Sequence, residues 1–209
     1  MTVRGLCLAD AVTIETVDQH LRDLDLYGED LGAARYVGCT FTDVDLTEAR
    51  TAGAVFERCT FHGGRFDAST HVSTAFVACD FRRVSFFDAV LEGCKLTGSV
   101  FSECTLRPVR VVGGVWRGVT IRGTRLGGLD LSGLDLRESD LSMSDLTGTV
   151  LRDARLTDAV LRETVLDGAD LRGAGLDGVD LTTARLRRTR LDVAGAVLLA
   201  EQHGAVVEG

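Results

Sequence analysis

The chain has 209 residues, 45% of them hydrophobic, which allows one sizeable core or at most two small ones and excludes bulk disorder. With 31 acidic against 23 basic residues the net charge is −8, which argues against nucleic acid or an anionic membrane held by a basic surface and fits a basic partner better. No run approaches the ~18 apolar residues of a membrane helix, and the opening MTVRGLCLADAVTIETVDQH has no signal-peptide core, so residence in the cytoplasm is expected. In chain order the sequence predicts an N-terminal cap over residues 1–20, one repetitive domain over 21–191 with a bend near 106–121, and a C-terminal helix and tail over 192–209.

The repetitive domain is plainest at Asp130 to Leu146, DLSGLDLRESDLSMSDL, where an aspartate followed by a leucine returns every five residues. Residues five apart lie about 140° from one another on an α-helix and on opposite faces of a strand, so neither element could bury this row of leucines. Extended both ways, the pentad has 35 central positions from Leu21 to Leu191, of which 33 are Leu, Phe, Val, Ile, Tyr or Trp; Thr51 and His71 are the exceptions. Two residues before each centre, from Ala34 to Ala194, stands Ala, Cys, Val, Ser, Thr or Gly, and only Leu129 and Leu134 depart. One large and one small inward residue per short unit is the signature of a solenoid, whose units bury nothing until neighbours stack on them. Glycine recurs two residues after the centre, at Gly113, Gly118, Gly123, Gly128 and Gly133, where a turn in every pentad is expected.

The units ADLRG (169–173), VDLTT (179–183) and CTFHG (59–63) resemble the A(D/N)LXX unit of pentapeptide repeat proteins. That resemblance implies an all-β solenoid, a right-handed quadrilateral β-helix with four pentads per coil, closed by a short C-terminal α-helix. The segment GSVFSECTLRP (98–108), the Asp-Leu-rich coils after it and the ending LDVAGAVLLAEQHGAVVEG resemble the MfpA and Qnr subgroup, and the unbroken phase is closer to MfpA than to Qnr proteins with projecting loops. The subgroup resemblance implies a DNA-mimicking partner of DNA gyrase, with topoisomerase IV as a related partner, that protects the enzyme from fluoroquinolones, and a homodimer formed through the C-terminal helix. Immunity against a natural gyrase poison, or a scaffold with no topoisomerase role, stays open.

With four pentads per coil, residues twenty apart become vertical neighbours. Cys39, Cys59 and Cys79 then share one column, with Cys94 and Cys104 at the same pentad position on other faces; without CxxC or a Cys/His cluster they read as small packed residues, not as metal ligands, and Cys7 lies outside the pattern. Thr51 and His71 stack, which suggests a hydrogen bond between two inward polar groups. Gly173 to Gly178 satisfies GxGxxG, but no βαβ unit surrounds it. GxSxG, P-loop and HExxH motifs are absent and His20, His62, His71 and His203 are scattered, so no catalytic residue, metal or cofactor is expected. Asp130, Asp135, Asp140 and Asp145 should form a ring around the rod rather than a stripe along it, and with Asp153 and Asp158 they are the acidic candidates to face gyrase. Eight coils would rise about 39 Å, a length over which duplex DNA carries roughly 23 charges, so any mimicry must rest on shape and local patches.

Pro108, the only proline, precedes a run poor in acids that holds the only tryptophan, Trp116; a change of coil regularity is expected here, with the cis or trans state open. Tyr27, Phe87, Val72, Val77 and Val112 sit where polar residues are usual, as partner contacts or crowded corners. Asp192 should cap a helix beginning at Val193 that stops before Gly204. Val193, Val197 and Ala200 share one face of it, with Ala194 and Leu198 beside them and Leu199 pointing away, and Val193, Val197, Leu198 and Ala200 form the candidate dimer contact.

Overall fold

A computed structural model describes residues 15–208. The expected N-terminal cap and Cys7 therefore fall outside the described residues, except that 15–20 already belong to the solenoid, which opens with β1 (Glu15–Val17) and β2 (His20–Arg22). Each pentad contributes at most a three- or four-residue strand whose central side chain points inward. The residue two places on then takes a positive φ, as at Asp43 (51°) and Gly63 (63°), and turns the corner. Many of these corners are not glycine, and short polar side chains tolerate the left-handed region best.

Strands pair in parallel with a register of twenty residues, so four faces stack coil upon coil. The first face is β2, β4 (Thr40–Thr42), β7 (Thr60–His62), β10 (Asp80–Arg82), β12 (Val100–Ser102) and β14 (Thr120–Ile121). The third is β5 (Arg50–Ala52), β8 (Thr70–Val72), β11 (Ala89–Glu92) and β13 (Val109–Val112). The fourth is β1, β3 (Arg35–Val37), β6 (Val55–Glu57) and β9 (Ala75–Val77). The second face and the C-terminal coils are held by single parallel bridges, such as Asp45 to Arg65 and Asp145 to Val165.

The interior is built by stacking. Phe41, Phe61, Phe81 and Phe101 lie nearly parallel with centroids 4.6, 4.8 and 4.7 Å apart, and meet the neighbouring Tyr36, Phe56 and Phe76 stack edge to face. Both geometries suit the aromatic quadrupole. From Leu126 onward leucines replace the rings. The small inward position does more than save space. Ser99 Oγ donates to the Phe76 carbonyl at 2.8 Å, Ser144 Oγ to Ile121 at 2.9 Å, Thr149 Oγ1 to Leu126 at 3.1 Å and Cys79 Sγ to Phe56 at 3.2 Å, always 23 residues back. Serine, threonine and cysteine serve alike as small residues with one donor, which accounts for the cysteine column. Burial pushes the Cys94 and Cys104 thiols up to about 11, which disfavours the thiolate a metal or disulfide exchange requires.

The ladder has one discontinuity. On the second face the bridges run from Asp25 to Thr105 and resume at Arg125; on the third, Arg110 and Asp130 are unbridged, whereas the first and fourth faces continue through Thr120–Asp140 and Val115–Asp135. The ladder is therefore open on two faces at this level and joined on the other two. The Arg107–Pro108 peptide at this level is cis, and Asp88 N–H bonds to the Pro108 carbonyl at 2.7 Å where the pattern would place residue 107. Leu129 and Leu134, the two oversized residues at small positions, are both buried here and Leu129 borders a cavity of about 10 Å³ lined by Leu106, Trp116 and their neighbours.

Helix α1 (Val193–Gln202) closes the last coil. Asp192 caps it, accepting from Gly195 N at 2.9 Å and also from Gly173 N at 2.8 Å, and Gly204 follows with φ 86°. Gly195 is the residue driven inward, against Leu176 and Leu191. Leu198 and Leu199 are both half-buried and both pack against the core, because a helix lying across a coil end covers it with a wide stripe; Leu199, expected to point away from the outer face, is part of that stripe. Gln202 completes the closure: its Oε1 accepts from Leu181 N at 3.0 Å and its Nε2 donates to the Val179 carbonyl at 2.6 Å, so its side-chain amide stands in for the next strand of the first face.

Candidate partner-binding surface

The surface follows from the register. Asp130, Asp135, Asp140 and Asp145 bridge to Val150, Arg155, Val160 and Val165 on four separate ladders, so they do form a ring. They are not equivalent. Asp135 is only 1% exposed and is clamped by Arg137 (two bonds, both 2.8 Å) and Arg155 (3.0 Å); the Arg137 hydrogen bonds hold its carboxyl below the ordinary value against the opposing effect of burial. It is thus a structural ion pair and not a surface acid. Asp140 is half-buried, with Arg122 at 3.4 Å and Ser142 N at 3.0 Å, and Asp145 is half-buried with Thr147 N at 2.9 Å. Thr147, and then Arg107 and Arg125, lower the Asp145 carboxyl. Asp130, Asp153 and Asp158 are exposed, the last two at corners with φ 56° and 59°.

Sequence reasoning missed the arginine pairing, although an Asp-x-Arg spacing along one strand marks it at 80–82, 135–137 and 170–172. Asp170 is the strongest case, with Arg172 and Arg152 each at 2.7 Å holding its carboxyl far below the carboxylate range. The bidentate pairs at Asp135 and Asp170 satisfy these aspartates within the rod and leave their arginines half in water, whereas both Arg82 bonds go to Asp80 Oδ2 and leave Oδ1 without a partner among the described residues.

The core exceptions Thr51 and His71 are both buried and joined, with Thr51 Oγ1 to His71 Nδ1 at 2.7 Å. Ser69 Oγ donates to the Phe66 carbonyl at 2.6 Å and so accepts from His71 Nε2–H at 2.9 Å, which leaves Nδ1 to accept from Thr51; Thr74 Oγ1 lies 2.7 Å from Thr51. Burial lowers the imidazole pKa to about 4. Of the apolar surface residues, Tyr27 (55% exposed), Phe87 (52%), Val72 and Val112 are exposed, whereas Val77 is half-buried. On α1, Val193 is 81% exposed, Val197 and Ala200 are half-buried, and Val206 lies open beyond the helix. Among the described residues no cluster of three His, Cys, Asp or Glu side chains could hold a metal, and no helix is long and apolar enough to cross a membrane.

The Pentapeptide repeats family matches the sequence in eight copies, over residues 30–68, 74–107, 117–153 and 150–188. The chain is a pentapeptide repeat protein. The pentapeptide repeat protein MfpA of Mycobacterium tuberculosis is 38% identical over 74 residues, which span 35% of this chain and 40% of MfpA. Among solved structures, a trypsin-treated form of QnrB1, a plasmid-mediated fluoroquinolone resistance protein, superimposes with a TM-score of 0.78 at 18% identity, covering 94% of this chain and 98% of that one. Full-length QnrB1 gives 0.63 at 16% identity over 91% of this chain. At these identities the likeness to QnrB1 shows the shared four-sided parallel solenoid alone.

Proposed function

We propose that this pentapeptide repeat protein binds DNA gyrase, and by extension topoisomerase IV, in the cytoplasm, and protects it from fluoroquinolones without being an enzyme itself. The observation that carries the reading is the 38% identity over 74 residues to MfpA, of the subgroup that the sequence resembles. The rod form supports it: over the described residues the coils stack twenty residues apart without a projecting loop, and a partly acidic rod is what a surface shaped for duplex DNA would accept. Charge contributes locally, through Asp130, Asp153 and Asp158, because Asp135 and Asp170 are neutralised by arginine.

In this reading two rods join through the outer stripe of α1, Val193, Val197 and Ala200, lengthening the mimic about a twofold axis. The exposure of Val193 and Val206 supports such a contact. Purified gyrase, assayed for supercoiling and for quinolone-induced cleavage with and without micromolar protein, tests the proposal. Reduced cleavage is the expected result. An unchanged enzyme in both assays would leave a scaffold role with no topoisomerase partner.

A further inference from the structure

We propose that the opened ladder between residues 103–108 and 122–125 is a second binding site, one that takes an extended acidic peptide segment of a partner protein by strand addition. The proposal goes beyond gyrase protection and does not depend on it.

The site is a surface cleft of about 670 Å³ on the second face. In the coils below and above, the backbone is paired: Phe86 N to the Thr105 carbonyl at 2.8 Å, Thr105 N to Val84 at 3.0 Å, Leu126 N to Asp145 at 2.8 Å and Asp145 N to Thr124 at 2.9 Å. Across the cleft the corresponding groups, Leu106 N–H and Arg125 N–H as donors and the Cys104 and Arg125 carbonyls as acceptors, bond to no group of the described residues. Unpaired strand edges of this kind template another chain. Alternating donors and acceptors call for a peptide backbone; a nucleic acid backbone offers almost only acceptors, and a net charge of −8 repels it.

The chemistry of the side chains follows from the rim. Among the described residues Arg107 and Arg125 have no carboxylate partner within ion-pair distance, although both lie near enough to Asp145 to stabilise its charge; the Arg107 guanidinium reaches across to within 4 Å of where a Cβ on Gly127 would stand. Arg122, shared with Asp140 at 3.4 Å, completes the rim, and Glu103 is the single acid lining the cleft. Three arginines over an open strand edge fit carboxylates on alternate residues of an added strand.

The test uses the full chain and a fluorescein-labelled peptide of about ten residues alternating glutamate and valine, long enough for one strand. Fluorescence anisotropy should show saturable binding that falls roughly tenfold or more in the Arg107→Glu/Arg125→Glu variant, the size expected when two charge pairs invert. The equal charge change Arg162→Glu/Arg187→Glu, outside the cleft, should leave binding intact, and amide exchange should slow at 103–108 and 122–126 when peptide is bound. Thermal unfolding checks that each variant is folded. No binding by the wild-type chain, equal binding of a lysine–valine peptide, or equal binding of the glutamate peptide N-methylated at alternate residues would overturn the proposal. So would displacement of the peptide by single-stranded DNA at lower concentration, which would make the site a nucleic-acid site.

Discussion

Acid should weaken this fold through one imidazole. His71 is buried as the neutral Nε2–H form, with its proton given to Ser69 and its Nδ1 accepting from Thr51, and burial lowers its pKa to about 4 from the ordinary 6.5. In the unfolded chain the ring protonates first, so stability is fully present above pH 6.5, falls as the pH drops from 6.5 towards 4, and levels off below. The difference of about 2.5 pKa units at 1.36 kcal/mol each corresponds to a total near 3 kcal/mol, of which roughly 2 is gone by pH 5. Carboxylates titrate in the same range, so the measurement is a difference between wild type and His71→Leu. Leucine is native to the next coil at Leu91, and it leaves Ser69 bonded to Phe66 and Thr51 bonded to Thr74. Urea unfolding of both proteins at pH 7.5, 6, 5 and 4 should show the wild type losing about 3 kcal/mol more than the variant. A difference that stays flat across that range would show that the ring is solvated, or that it is protonated in the native state already.

Leu134→Ala restores the residue usual at its pentad position, yet should destabilise by about 2–4 kcal/mol in denaturant unfolding, because Leu134 is fully buried and its truncation leaves a cavity; Ala154→Gly, one coil on, should cost only about 1 kcal/mol. Gly114→Ala should be far worse than Gly123→Ala: at Gly114, with φ 120°, a Cβ collides with the Cys94 carbonyl oxygen, whereas at Gly123 it meets nothing within 4 Å and pays only the left-handed penalty of about 1 kcal/mol. Gln202→Ala should expose the Leu181 and Val179 backbone and selectively speed amide exchange in the last coil. Val197→Asp should leave the helix cap in place but shift the protein to a monomer in sedimentation and weaken its effect on gyrase; an undiminished effect in the monomer would remove the dimer from the mechanism.

The repeat was legible because a solenoid has no long-range uncertainty: the residue twenty places on is the neighbour, so Thr51 meeting His71 and the ring of Asp130 to Asp145 could both be read from spacing. The same arithmetic is blind to what a side chain does with its length. Asp135 and Asp140 occupy identical pentad positions, but Asp135 finds Arg137 and Arg155 on its own face and disappears from the surface, whereas Asp140 has Ser142 beside it and a more distant Arg122. At the C-terminus the periodic rule ended, and helical spacing gave a stripe without saying which way it faces, so the packing of both Leu198 and Leu199 against the core was not legible from it. Leu129 and Leu134 were visible as departures, but only the structure places Leu129 at the unbridged third face beside a small cavity.

The arginine pairs bear on how a rod of this kind could imitate DNA. A strand column carrying unpaired aspartates every 4.8 Å would repel itself and fray the short three-residue strands. Arginine two residues along the same strand, as at Asp135–Arg137 and Asp170–Arg172, removes that repulsion while keeping the aspartate that turns the backbone. The fold thus limits how much negative charge its own faces can carry. Acids without that constraint are those at corners, such as Asp153 and Asp158, whose carboxylates lie over the glycine corners of the next coil, Gly173 and Gly178. If gyrase reads charge on this protein, Asp153→Asn/Asp158→Asn should weaken binding with little loss of stability, and the loss should shrink as salt is raised; Asp135→Asn should do the reverse, costing stability and leaving the salt dependence of binding unchanged.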